Sequence, residues 1–224
     1  MRRVPHLSTP AIARLPAYDD CVPVNGDTPV VYVLRHGETE WSATGRHTGT
    51  TDVPLTTNGE QQARLAGLVL SRLRCTNLPP ALVLCSPRTR ALRTADLAGL
   101  EVDEVTEELA EWDYGDYEGL TTDEIQQKVP HWTVWSYPIP HGETVEHVGK
   151  RASHLLDRVT TALSSGDVIL IGHGHFSRVL VARWLEQSAS DGVRFGLDPA
   201  ATTVLGSERG ERQVLRSNIP PWSV

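Results

Sequence analysis

Short apolar runs alternate with amphipathic stretches along most of this chain, and this alternation restricts its fold more than any other feature. The apolar runs predict strands at Val30–Leu34, Ala81–Cys85 and Asp167–Gly172, a short edge strand at Glu101–Val105, and one or two edge strands between Ala200 and Leu215. Strands that alternate with helices favour a mostly parallel sheet covered on both faces. We therefore expect an α/β fold, a three-layer α/β/α sandwich with a mostly parallel central sheet.

Capping signals and helically spaced apolar residues predict the helices between these strands. Helices are expected to begin at the capping box Thr57–Glu60, at Ser86–Pro87, at the capping box Thr121–Glu124, at Glu143 and at His175. The helix from Glu143 is the longest and runs to Leu163. Each predicted strand–helix step supports the same layered architecture.

Composition limits the classes of function and of partner. The chain has 224 residues, of which 39% are hydrophobic, enough for one domain with a full core. Its formal net charge of -7, without a polybasic run, argues against nucleic acid or an anionic membrane as partner. No apolar run approaches the roughly 18 residues that span a bilayer. The oligomeric state stays open, a homo-oligomer included.

The first 28 residues differ from the rest of the chain. They contain Pro5, Pro10 and Pro16 and have no apolar core of a signal peptide, so we expect a mobile leader over 1–28 and one catalytic domain over 29–224. The three cysteines are an odd number without a close pair, which predicts neither a disulfide framework nor a zinc site. A reducing cytoplasm fits best. Cys85 ends an apolar run and is expected to be a small core residue.

Charged residues follow the predicted strands at four places. These are Arg35-His36-Gly37, Ser86-Pro87-Arg88, Glu111 and Gly172-His173-Gly174. Ligands of such sheets bind at the carboxyl ends of the strands, where these residues are expected to meet.

This set of side chains suits phosphoryl transfer. Two arginines offer forked donors to a phosphoryl group, and a neutral imidazole can attack phosphorus to give a phosphohistidine. A second histidine can bond the equatorial oxygens, while a carboxylic acid protonates the leaving alkoxide and later deprotonates water. Gly37 and Gly174 let backbone and ligand approach closely. The arginines supply the positive charge that a metal would bring, so no metal or other cofactor is expected.

The segment LRHGETEW, followed in order by Arg88, Glu111 and GHG, resembles the histidine phosphatase superfamily in its phosphoglycerate-mutase-like branch. The resemblance extends from Val30 to the end of the chain. The segments RHGETEWSATGRHTGTTDVPLT, LAEWDYGDYEGLTT and GHGHFSRVLVARW also look like a group of actinobacterial acid phosphatases that often carry a phosphoglycerate mutase label.

The resemblance implies a role for each of these residues. It makes His36 the phosphorylated nucleophile and Glu111 the proton donor, with Glu108 as the alternative acid. Arg35, Arg88 and His173 complete the phosphate pocket.

The resemblance also implies substrate contacts around this pocket. They are assigned to Gly37, Ser42, the Thr48-Gly49 loop, Tyr114 in the substrate mouth, and Gly174 facing the phosphate. Ordinary loop packing is the alternative interpretation of Thr48 and Tyr114.

Departures from the mutase pattern bear on the substrate. Ser42 replaces an asparagine that mutases use to bind phosphate, and the interval from Glu111 to His173 is short. No paired arginines are apparent in this interval, where Arg151 and Arg158 are interpreted as snorkelling surface residues of the long helix. These features favour a metal-independent phosphatase acting on small-molecule phosphate esters. A phosphoglycerate mutase and a sugar bisphosphatase remain the alternatives.

Two other classes compete with these enzymes. A non-catalytic binding module on the same fold is disfavoured because every catalytic position is filled. A metal hydrolase is suggested by His173-Gly-His175, since two alternating histidines can be ligands, but the sequence supplies no carboxylate cluster beside them.

Overall fold

The computed structural model describes Val24 and residues 28–223, within which six strands form one sheet. The strands are β1 (Val31–Arg35), β2 (Leu82–Cys85), β3 (Glu104–Val105), β4 (Val168–Gly172), β5 (Thr202–Glu208) and β6 (Glu211–Ile219). Their order across the sheet is β3-β2-β4-β1-β5-β6. Pairing is parallel from β3 through β1 and antiparallel from β1 through β6. The prediction of a mostly parallel central sheet is confirmed.

The helices occupy both faces of this sheet. They are α1 (Glu40–Ala43), α2 (Thr57–Arg74), α3 (Thr89–Leu97), α4 (Thr122–Gln126), α5 (Val145–Ala162) and α6 (Gly174–Trp184). Short 3-10 turns lie at Glu107–Leu109, Gly115–Tyr117 and Ala189–Arg194.

Alternating side chains of β1 supply two separate hydrophobic clusters. Tyr32 and Leu34 pack with residues of α2 and α3, whereas Val31 and Val33 pack with residues of α5 and α6. Because successive side chains of a strand point to opposite faces, the sheet is buried on both sides. This arrangement confirms the predicted three-layer sandwich.

Several helix starts differ from the sequence-based expectation: α5 begins at Val145 and α6 at Gly174, and two further differences concern α2 and α3. The N-cap of α2 is Thr56, whose hydroxyl accepts from the amide of Gly59, one residue earlier than predicted. Helix α3 begins at Thr89 with Arg88 as its N-cap and without a side-chain cap, and the Ser86 hydroxyl is bonded to His173. The capping box at Thr121 is confirmed.

The edge strands also depart in detail from the prediction. β3 has only two residues, both exposed, and is shorter than the predicted strand Glu101–Val105. Few residues of this segment are apolar, so little of it is buried in the core. The segment after Ala200 forms two strands, which was one of the two expected alternatives. Of these two, β6 lies at the edge of the sheet, whereas β5 lies inside it.

The expected leader lies almost wholly outside the described residues, although Val24 packs partly buried against the α2–α3 side of the core. Within the described part of the chain, no helix is long and apolar enough to cross a bilayer. Cys85 is fully buried, and burial raises the pKa of its thiol to about 12, which confirms it as a core residue.

Candidate active site

The carboxyl ends of β1, β2 and β4 meet at one edge of the sheet. Arg35 pairs with Gly172 in the parallel register, and the amide of His36 donates to the Gly172 carbonyl at 2.9 Å. The amide of Ser86 donates to Ile171 at 2.9 Å. The strand ends that the sequence singled out are therefore neighbours in the fold.

A cavity of about 390 Å³ opens beside these strand ends. Among the residues predicted for the site, its walls include Arg35, His36, Ser42, Thr48, Glu111, Tyr114 and Gly174. Four predicted residues do not line it: Gly37, Gly49, Arg88 and His173.

His36 is held as a neutral imidazole with one free lone pair. Its Nδ1 lies 2.7 Å from the carbonyl oxygen of Gly37. A carbonyl only accepts, so Nδ1 carries the proton and Nε2 keeps its lone pair. Burial, and then the charges of Arg90 and Arg35, hold the pKa of His36 well below its usual range. The arrangement leaves Nε2 able to act as a nucleophile.

Arg35 is anchored by one end of its guanidinium. One terminal nitrogen donates to the Leu197 carbonyl at 2.7 Å. Its Nε is buried and has no hydrogen-bond partner among the described residues. A Cβ at Gly174 would stand 3.3 Å from the Arg35 guanidinium carbon, a tight contact that would push the guanidinium aside by a few tenths of an ångström. The Nε donor of Arg35 suits an anionic ligand.

His173 lies against His36 but uses both ring nitrogens within the protein. The two ring centroids are 5.2 Å apart. Nδ1 of His173 accepts from Nε of Arg90 at 3.2 Å, so its proton is on Nε2, which lies 2.7 Å from the Ser86 hydroxyl. We expected His173 to bond phosphate oxygens. To do so, its ring would have to release either the Ser86 hydroxyl or Arg90.

Arg90, rather than the predicted Arg88, binds His173 beside the cavity. It is fully buried, and besides His173 it donates to the carbonyls of Thr48 at 3.0 Å and Thr51 at 2.9 Å. Arg88 instead precedes α3 and reaches Glu107 at 3.4 Å. Its charge still contributes to lowering the pKa of His173.

Arg90 could have been found from the helical pattern. The buried residues of α3 are Arg90, Ala91, Thr94 and Ala95, which share one face at i, i+4 spacing. An arginine on the apolar face of a helix is unusual. The strand-end pattern pointed to Arg88 instead, because Arg88 is the first arginine after β2.

Glu111 lies in the cavity wall, and its carboxylate caps helix α6. It accepts from the amides of Trp112 at 2.9 Å, His175 at 3.0 Å and Phe176 at 2.7 Å. A carboxylate at a helix N-terminus is favourably placed, because the first amides of the helix have no partner within it.

Glu108, the alternative acid, lies elsewhere. It pairs with His154 and Arg158 on α5 and does not line the cavity. Partial burial raises the pKa of the Glu108 carboxyl, but the bonds from Arg158 and His154 outweigh this effect and lower it. The geometry thus favours Glu111 over Glu108.

Gly37 and Gly49 are bound within the protein, contrary to expectation. The Gly37 amide donates to the Thr94 hydroxyl at 3.0 Å, and a Cβ on Gly37 would lie 2.3 Å from the carbonyl oxygen of Gly59. The Gly49 amide donates to the Glu118 carboxylate at 2.9 Å. Both glycines permit close packing of backbone, and neither offers its amide to a ligand.

Ser42, Thr48 and Tyr114 reach the cavity wall as predicted, although each also has a protein partner. The Ser42 hydroxyl forms a capping box with Thr39, and the Thr48 hydroxyl donates to the Arg46 carbonyl at 3.1 Å. The Tyr114 hydroxyl lies 2.6 Å from Nδ1 of His175. Burial, followed by the charge of Glu111, raises the pKa of Tyr114.

An aromatic wall that the sequence did not reveal lines the outer part of the cavity. The rings of His47 and His175 stack with centroids 5.8 Å apart, and Trp135 meets His175 at 5.3 Å. The guanidinium of Arg178 lies 4.7 Å from the centre of the Trp135 ring. His175 closely follows β4, but His47 and Trp135 are distant from it in sequence, and no local motif links the three residues.

The metal-hydrolase alternative finds no support in this geometry. Nδ1 of His173 is occupied by Arg90, and Nδ1 of His175 lies against the Tyr114 hydroxyl. The two histidines therefore bind different protein groups. In residues 28–223 no cluster of three metal-ligating side chains is found.

Comparison with known proteins agrees with this site. Residues 31–220 match the family model of the histidine phosphatase superfamily, branch 1. An acid phosphatase of Mycobacterium tuberculosis is 49% identical over 81% of this chain and 88% of its own. A sedoheptulose 1,7-bisphosphatase of Saccharomyces cerevisiae is 34% identical over 70% of this chain and 68% of its own.

The solved structure of an open-reading-frame product from Mycobacterium tuberculosis superposes with a TM-score of 0.83 at 46% identity, covering 86% of this chain and 98% of that one. The sequence match covers the whole sheet and every residue of the cavity wall named above. The chain belongs to branch 1 of the histidine phosphatase superfamily.

Proposed function

We propose that this chain is a metal-independent phosphomonoesterase of the acid phosphatase type, acting through a phosphohistidine at His36. The observation that carries the proposal is the free lone pair on Nε2 of His36, held beside Arg35 in the cavity that also contains Glu111. A nucleophile, an anion donor and a carboxyl acid thus share one enclosure.

The first step forms a bond from Nε2 of His36 to phosphorus and breaks the bond from phosphorus to the ester oxygen. A protonated Glu111 gives its proton to the departing alkoxide. Arg35 binds the phosphoryl oxygens, and the buried charge of Arg90 lies near enough to lower the pKa of His36 and to stabilise negative charge on the phosphoryl group.

The second step returns His36 to its starting state. Glu111, now a carboxylate, takes a proton from water as the water oxygen attacks the phosphohistidine. The bond from phosphorus to Nε2 breaks, and inorganic phosphate leaves. The positive charges come from arginine side chains, so the proposal needs no metal ion or organic cofactor.

The two relatives described above support hydrolysis, although other relatives are named phosphoglycerate mutases, and a sugar bisphosphate is the second candidate class of substrate. The Mycobacterium tuberculosis relative is named an acid phosphatase. The cavity wall also includes Arg46 and Arg178, which lie outside the interval in which the sequence analysis sought paired arginines. Two such cations suit a substrate with a second anionic group. The yeast relative is named for a sugar bisphosphate, a substrate of this kind.

The test is a panel of phosphorylated sugars, glycerates and nucleotides, assayed for release of inorganic phosphate with and without bisphosphoglycerate. We expect phosphate release in both conditions, and glycerate from 3-phosphoglycerate if it is accepted. Conversion to 2-phosphoglycerate with negligible free phosphate would favour the mutase instead. Among the active sugars, faster turnover of bisphosphates than of monophosphates would select the second candidate class.

A further inference from the structure

Arg151 on α5 uses three N–H groups of its guanidinium on the segment that carries Glu111 and the other two on Glu143. One terminal nitrogen donates to the carbonyls of Glu108 at 3.1 Å and Ala110 at 2.7 Å. The other donates to the Glu111 carbonyl at 3.4 Å and to the Glu143 carboxylate at 2.8 Å. Nε donates to the second oxygen of Glu143 at 3.2 Å.

This observation corrects the interpretation of Arg151 as a snorkelling surface residue. Its side chain is only 15% exposed, compared with 33% for Arg158 on the same helix. The sequence could not show which of the two arginines is shielded from solvent, because they stand seven residues apart and so lie near the same helix face. What differs is the partner: Arg158 pairs with Glu104 and Glu108 at the surface.

Glu143 fixes the same segment from the other side of Glu111. Its carboxylate accepts from the amide of Asp113 at 3.0 Å, while its carbonyl accepts from the Trp112 indole at 3.0 Å. Glu143 and Arg151 form a bidentate ion pair that is largely shielded from solvent. The backbone on both sides of Glu111 is therefore bonded to one charged pair.

Arg151 also reaches the helix that the Glu111 carboxylate caps. Its guanidinium lies 4.3 Å from the centre of the Phe176 ring. The amide of Phe176 donates to the Glu111 carboxylate at 2.7 Å. Arg151 thus contacts both the backbone of Glu111 and a residue that holds its carboxylate, so a shift of the guanidinium would move the carboxylate relative to the cavity.

We propose that Arg151, paired with Glu143, is a positioning residue that sets the orientation of the Glu111 carboxyl for proton transfer. The proposal rests on the proposed function, in which Glu111 is the acid. A lysine at this position keeps the charge but cannot supply five donors in a planar fork. Displacement of a catalytic group by about 1 Å can cost about 100-fold in rate.

The experiment compares Arg151→Lys with Arg158→Lys on two esters. An alkyl phosphate needs protonation of its leaving group, whereas p-nitrophenyl phosphate needs little. For Arg151→Lys we expect kcat on the alkyl ester to fall about 10- to 100-fold, with a much smaller loss on p-nitrophenyl phosphate and KM nearly unchanged. Arg158→Lys is the matched control from the same helix and should keep the wild-type ratio between the two esters.

Glu111→Gln, alone and combined with Arg151→Lys, completes the design. If Arg151 acts through Glu111, the double variant should lose no more activity on the alkyl ester than Glu111→Gln alone. Equal losses on both esters in Arg151→Lys, or additive losses in the double variant, would overturn the positioning role. If Arg151→Lys does not fold, the same comparison with Glu143→Gln decides the question.

The two proposals fail in different ways. If Glu111→Gln itself shows no difference between the two esters, the acid role of Glu111 in the proposed function is wrong. If Glu111→Gln shows the difference and neither Arg151→Lys nor Glu143→Gln does, only the positioning role is wrong.

Discussion

Arg90 donates a hydrogen bond from Nε to Nδ1 of His173 across 3.2 Å, in a fully buried part of the site. The same guanidinium binds the carbonyls of the loop that contains Thr48. One arginine of α3 therefore fixes both the tautomer of His173 and the loop that closes the cavity.

This relationship predicts unequal effects of two neighbouring arginines. Arg90→Lys removes the planar fork and should lower kcat by about 100-fold or more, the usual effect of losing one oriented donor at developing charge. Arg88→Lys keeps a charge at a position that pairs with Glu107 and does not bond His173, and it should cost less than about tenfold. Steady-state kinetics of both variants on p-nitrophenyl phosphate test the difference. A larger loss in Arg88→Lys would return the role to the residue suggested by the sequence.

The state of His36 predicts how turnover depends on pH. Attack requires the neutral imidazole, and burial with the nearby Arg90 and Arg35 holds the pKa of His36 well below its usual range. Protonation of His36 should therefore not reduce kcat as the pH falls from 7 to 5. The measurement is kcat at saturating substrate, which reports groups of the bound complex. A loss of kcat with an apparent pKa near about 6.5 would mean that His36 is not held neutral.

Buried neutral histidines should make the fold less stable in acid. Burial lowers the pKa of His47 to about 4, so the unfolded chain, with a histidine pKa near about 6.5, binds this proton first. The resulting stability is present above pH about 6.5 and is lost as the pH falls towards about 4.

His47→Gln isolates this contribution. Between pH 7 and pH 5, the free energy of unfolding should fall by about 2 kcal/mol less in His47→Gln than in wild type. Urea unfolding at the two pH values measures it. The same pH dependence in both proteins would show that His47 is not buried neutral as the structure places it.

The charges at the site predict insensitivity to chelators. Because arginines hold the phosphoryl group in the proposed reaction, dialysis against EDTA should leave kcat unchanged. Vanadate, an analogue of the pentacoordinate phosphorus, should inhibit at low concentration. Activity that returns only when zinc or magnesium is added back would contradict the proposed mechanism.

The sheet and its functional edge could be predicted from sequence because periodicity and strand-end charges are local signals. Val31–Arg35 and Val168–Gly172 are apolar runs that end in histidine-containing turns, and their parallel register follows from burial on both faces. Glu111 follows the predicted strand Glu101–Val105, and the resemblance supplied its role as the proton donor. For these residues, position along the chain was enough to predict that they belong to the site.

The remaining parts of the site depend on contacts between distant segments. Arg90 was missed because the strand-end pattern pointed to Arg88, whereas the partner of Arg90 in the site is His173, 83 residues away. Arg151 and Arg158 have equivalent positions in the helical pattern and different partners in space. Side-chain orientation and tautomers are set by tertiary packing, which no single segment encodes.

The most direct test is the identity of the phosphorylated residue. The protein is incubated briefly with a substrate labelled in its phosphoryl group, quenched in alkali and digested, and the labelled peptide is identified. We expect acid-labile label on His36 in the wild type and none in His36→Asn, whose activity should be lost. Label on any other residue, or turnover retained in His36→Ala, would contradict the phosphohistidine mechanism.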